Sequence, residues 1–83
     1  MLHECEYVFG TLLICEGDEI RVYIAPRKYE GIVDKISDMA ILLLNDHHPV
    51  NLRIKKIAII EVLKRGKAYQ EYIKAKRGEY EKP

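Results

Sequence analysis

A mainly β fold, built as a small and strongly curved barrel, is predicted from three features of the 83-residue chain. Between Tyr29 and Asn45 the segment YEGIVDKISDMAILLLN reads as one long, sharply bent strand or as two strands meeting at a tight corner. Its apolar run Ile41-Leu42-Leu43-Leu44 lacks polar alternation and calls for cover on both faces, which a curled sheet supplies. The flanking segments, residues 19 to 25 and 50 to 55, alternate apolar and polar side chains with the period of two that marks a half-buried strand.

Taken in order, residues 4 to 15 place Cys5, Val8, Phe9 and Leu12 at helical spacing, with Gly17 as a C-terminal stop, and predict a short N-terminal helix. The competing reading is a strand through Tyr7, Val8, Phe9, Thr11 and Ile14 that turns at Glu16-Gly17-Asp18. The first barrel strand carries Ile20, Val22 and Ile24 inward, with Arg21 and Tyr23 outward, and Pro26-Arg27 turns the chain. The second runs from about Lys28 to Ile36, with Gly31 where a Cβ would obstruct the bend. Met39 to Leu44 is the third. The polar loop Asn45-Asp46-His47-His48-Pro49, short enough for a hairpin-like connection, leads into the fourth, Val50 to Lys55. The fifth, Ile57 to Leu63, is mostly apolar and is expected to be covered on both faces. After Gly66, Ala68, Tyr69, Tyr72, Ile73 and Lys76 share one face of a C-terminal amphipathic helix, about 66 to 78, beyond which the chain should fray.

The chain forms a single domain with a core of marginal size, so self-association is expected. No apolar run approaches the roughly 20 residues of a membrane span, and no basic region precedes an apolar one at the N-terminus; the reading is cytoplasmic. Heavy use of Ile, Lys, Glu and Tyr points to a thermophile. Cys5 and Cys15 are ten positions apart, about 15 Å on one helix and beyond the roughly 7 Å limit for a bridge, so they read as buried thiols.

The net charge of +1 conceals an asymmetry. From Lys64 onward there are seven basic and three acidic residues, against seven basic and ten acidic before it. A mildly acidic barrel argues against duplex DNA, whose non-specific affinity comes from clustered cations.

The order Gly31, Val33, Ile36, Ser37-Asp38, Ile41-Leu42-Leu43 and Asn45 resembles the Sm-like signature, and Ile41-Leu42-Leu43-Leu44-Asn45 is similar to the third strand of the bacterial Hfq branch. Lys55-Lys56-Ile57-Ala58-Ile59 resembles a second Hfq segment, Tyr-Lys-His-Ala-Ile, so that the likeness spans about residues 8 to 63. It implies a five-stranded, strongly bent open barrel preceded by a short helix. It also implies assembly into a hexameric or heptameric ring through the fourth and fifth strands, and non-catalytic binding of single-stranded RNA. By that likeness the RNA-binding positions fall on Ser37 and Asp38 at the corner and on Lys55 and Lys56 between the last two strands. Lys74, Lys76 and Arg77 form an auxiliary basic patch. Ile36 stands where the family has a stacking aromatic, and Ile41 where the Sm pattern has Asn, which implies weak sequence selectivity.

Blander readings apply to the same residues. Lys55 and Lys56 also suit a solvated strand junction. Tyr69, Tyr72 and Tyr80 could stack on bases, though Tyr69 and Tyr72 equally suit packing of the helix on the barrel or a neighbour. His47, His48 and His3 lack metal-ligand spacing, and no nucleophile has a local base, so neither metal, cofactor nor catalysis is expected. The rival function is an adaptor: a small β-barrel that docks a larger ribonucleoprotein or regulatory assembly.

Overall fold

Strand β4, Arg27–Ile36, is the spine of the protein, because its two halves pair with different neighbours. In the computed structural model, which describes Cys5 and residues 7–81 with side chains as far as Lys76, Arg27 to Ile32 pair with β3 (Glu19–Ile24). Ile32 to Ile36 pair with β5 (Ala40–Asn45), across a register shift between Val33 and Lys35. In this handover the two halves engage neighbours on opposite edges of β4, and the register shift is an irregularity of the kind at which a strand bends. Gly31 sits at that handover, where a Cβ would lie 2.7 Å from the Leu44 carbonyl oxygen, so a side chain there would collide with the backbone of β5.

Strand β6 (His48–Arg53) continues the antiparallel meander, and β7 (Ile59–Lys64) returns to pair with β3, giving the sheet order β6-β5-β4-β3-β7. The 3-10 turn Ile54–Lys56 joins the two edge strands. Met39 accepts a 2.9 Å hydrogen bond from the Ile54 amide, and Tyr23 accepts one of 2.8 Å from that of Ala58. One short segment therefore touches both the β4–β5 corner and β3, which requires the sheet to curl around its apolar face. On that face Ile20, Val22, Val33, Ile41, Leu43, Leu52, Ile57 and Ile60 form a contiguous core.

The N-terminal segment corrects the helix expectation. Residues Tyr7–Phe9 (β1) and Leu12–Ile14 (β2) form an antiparallel hairpin, with Tyr7 opposite Ile14. Gly10 occupies the first turn position at φ 66°, as a two-residue II′ connection demands. Ile14 is fully buried, while Tyr7, Phe9 and Leu12 pack against the core. Burial pushes the Tyr7 phenol above its ordinary pKa. The hairpin also overturns the reading of free thiols, since Cys5 and Cys15 form a disulfide. Separations that place the two far apart along a helix set them side by side across a hairpin, with Cα atoms 4.3 Å apart.

One refinement and two smaller corrections follow from turn chemistry, burial and helix propensity. The hairpin-like connection expected at 45 to 49 is present, with its turn confined to Asp46-His47, both at positive φ (50° and 66°), because a primed turn matches the twist of its strands. Strand β7 is covered on one face only: Ile60 is buried, but Ile59 and Leu63 are 53% and 40% exposed, as befits an edge strand. Helix α1 runs Lys67–Glu81, through Gly78 and past the expected fraying point, since a single glycine costs a helix only about 1 kcal/mol.

The junction of β7 and α1 is pinned by Asp18, whose side chain is fully buried. Its carboxylate accepts hydrogen bonds from the Cys15 amide (2.9 Å), the Gly66 amide (2.8 Å) and Arg65 Nη1 (2.9 Å). Arg65 Nη1 also donates to the Leu13 carbonyl at 2.7 Å, and the guanidinium lies 3.9 Å from the centre of the Tyr69 ring. A Cβ on Gly66 would run into the Gly17 carbonyl, so only glycine permits this approach. Among the described residues, no α1 side chain belongs to the core or to the residues packed against it.

Candidate functional site

A cleft of about 360 Å³ opens where the β4–β5 corner meets the end of β6 and the 3-10 turn. Asp38, Met39 and Ala40 line one side; Asn51, Arg53, Ile54 and Lys55 line the other. The walls are held together by the pairing of Ala40 with Arg53 and by the Ile54–Met39 backbone hydrogen bond. Asn51 and Arg53 alternate with the buried Leu52, so the pleat that sends Leu52 inward turns both polar residues out.

The corner itself is a polar turn organised by Ser37. Its Oγ accepts from the Ala40 amide at 3.1 Å and from the Met39 amide at 3.3 Å, and donates to the Ala40 carbonyl at 3.3 Å. The hydroxyl is thereby committed to shaping the turn, and Asp38 is the corner's polar side chain that faces the cleft. Met39 beside it is 69% exposed.

Of the sequence-predicted positions, Asp38 and Lys55 line this one cleft, and Lys56 follows Lys55 on the exposed side of the 3-10 turn. Asn51 and Arg53 join them; they were legible as outward residues of a strand but not as neighbours of the corner. Lys74 and Lys76 lie elsewhere. Helix α1 leaves the last residue of β7, whereas the cleft adjoins the turn leading to its first, roughly 20 Å away for a six-residue strand. Lys76 Nζ instead sits 5.7 Å from the Tyr72 ring centre, and Tyr69 carries Arg65. The side chains of Arg77 and Tyr80, and all of His3, lie outside the described residues. His47 and His48 are taken up in the β5–β6 turn and the start of β6.

The outer face of the sheet is electrostatically occupied near β3. Arg21 donates from Nε to Glu30 at 2.6 Å and from Nη1 to Glu61 at 3.2 Å, joining β4, β3 and β7 in one ladder. The hydrogen bond to Glu30 above all, with further support from Tyr23, holds the guanidinium pKa above its ordinary value. A second recess, about 420 Å³, is lined by Tyr23, Ala25, Pro26, Arg27, Lys28, Ala58 and Ile59. It flanks the opposite end of the 54–58 segment from the cleft.

Against this geometry, no protein-family model, curated protein or solved structure matches the chain. Among the described residues, no helix is long and apolar enough to cross a membrane.

Proposed function

We propose that the protein binds single-stranded RNA, without catalysis, in the cleft between the β4–β5 corner and the 3-10 turn, as an Sm-like ring of six or seven copies. One observation carries the reading: residues 12 or more positions apart, Asp38 and Met39 against Asn51, Arg53 and Lys55, converge on one concave surface. That surface combines cations for phosphate with an amide, a carboxylate and apolar side chains for a base. Support for the barrel comes from the bent β4, the strand order and the short 3-10 link between edge strands. The edges β6 and β7 are the two strands through which such a ring would close.

The cellular setting belongs to the same proposal. Disulfides persist in oxidising compartments and also inside hyperthermophile cells. The bridge between Cys5 and Cys15, taken with the Ile, Lys and Glu bias, fits the cytoplasm of a thermophile. The adaptor reading draws its support from Ile59 and Leu63, apolar and exposed along edge strand β7.

Replacing Lys55 and Lys56 together by alanine is expected to weaken binding of a fluorescent uridine-rich RNA. Each lost phosphate contact should lower the salt slope by about 0.7, or roughly 1.4 for both. Superimposable titrations of the two proteins across a salt series would refute the site. Native mass spectrometry of the purified protein should show hexamers or heptamers; a bare monomer would favour the adaptor.

A further inference from the structure

The cleft contains an acid that a phosphate track does not call for. Asp38 shares the cleft with Arg53 and Lys55, and no hydrogen bond or ion pair to its carboxylate forms among the described residues. An ionised carboxylate only accepts hydrogen bonds, through two oxygens side by side, and it repels phosphate. Its natural partner on a nucleotide is therefore a base edge that donates twice. Uracil offers one N–H between two carbonyls, while adenine and cytosine each offer an amino group beside a ring acceptor. Guanine alone places two donors, N1–H and N2–H₂, next to each other. It also presents the acceptors O6 and N7, the commonest targets of Arg and Lys.

Resting on the RNA reading, we infer that the cleft selects guanine, with Asp38 as the residue that determines the choice. Asp38 accepts from N1–H and N2–H₂, while Lys55 or Arg53 donates to the acceptor side. The apolar side chains of Met39 and Ile54 supply the face against which the base lies, a role a polarisable thioether fills well. At about 360 Å³ the cleft falls in the range of small-ligand sites, roughly 300–1,000 Å³. Uracil placed there would set a carbonyl oxygen on either side of its single donor, so whichever way it lies one carboxylate oxygen faces a carbonyl, and the same residue that attracts guanine disfavours uracil.

The test is an anisotropy titration of the full chain with four labelled RNA heptamers, all uridine except for a central guanosine, adenosine, cytidine or uridine. The guanosine heptamer should bind roughly 5- to 150-fold more tightly than the all-uridine one, the span of a single bidentate base contact. Asp38→Asn should collapse that margin, bringing the guanosine heptamer to the affinity that the same variant shows for the all-uridine one, because an amide oxygen accepts only once and its NH₂ opposes the guanine donors. Equal affinities for all four heptamers, or a margin that survives Asp38→Asn, would overturn the assignment of guanine and leave RNA binding in place. Failure to bind any heptamer at low salt would remove both.

Discussion

Asp18→Ala is expected to lower the free energy of unfolding by about 3–5 kcal/mol, the usual result of removing one partner from a buried ion pair. The carboxylate is fully buried and accepts from two backbone amides and a guanidinium. Without it, the Cys15 and Gly66 amides lose their acceptor, and Arg65, whose side chain is only 22% exposed, keeps its charge with only the Leu13 carbonyl and the Tyr69 ring for compensation. Asp18→Asn should cost less, because an amide oxygen still accepts, though without the charge. Urea denaturation of the three proteins separates these effects. A loss below about 1 kcal/mol for the alanine variant would mean that water replaces the carboxylate, contrary to the burial of the site.

The second large effect belongs to the disulfide. Closing a loop of about 11 residues removes chain entropy from the unfolded state worth about 3 kcal/mol. Paired substitution of Cys5 and Cys15 by alanine should therefore shift the urea midpoint downward, and a reductant should shift the wild type by a similar amount. The consequence extends beyond the hairpin. The Cys15 amide is one of the three donors to Asp18, so the bridge and the β7–α1 junction share a residue, and their double variant should depart from additivity. Identical unfolding curves with and without reductant would contradict the bridge.

The strands that carry the core were legible because their burial is written locally. Ile20, Val22 and Leu52 each lie one pleat from an outward neighbour, and that alternation survives translation into structure, while Ile41 and Leu43 belong to an unbroken apolar run whose flanking Leu42 and Leu44 are half-buried. The N-terminal segment was not legible in this way. Cys5, Val8, Phe9 and Leu12 satisfy a helical period, yet Val8 is 53% exposed and the segment doubles back at Gly10. Deciding between the two periods required the partner across the hairpin, and the cysteine spacing carried opposite meanings in the two readings. The Asp18–Arg65 contact spans 47 positions and has no local pattern. The candidate cleft lies between these extremes. Asp38 and Lys55 were nameable from a family likeness, whereas Asn51 and Arg53 became part of the cleft only through the register that sets Arg53 opposite Ala40.

The sheet ends in two rims of unlike sequence, β6 on one side and β7 on the other. Copies joined unlike rim to unlike rim form a row that, however long, still displays one of each at its ends. Growth stops only when the rotation per copy adds up to a full circle. For such a row, a substitution that tilts β6 against the next copy's β7 would change how many members complete the circuit before it changed how tightly any two adhere.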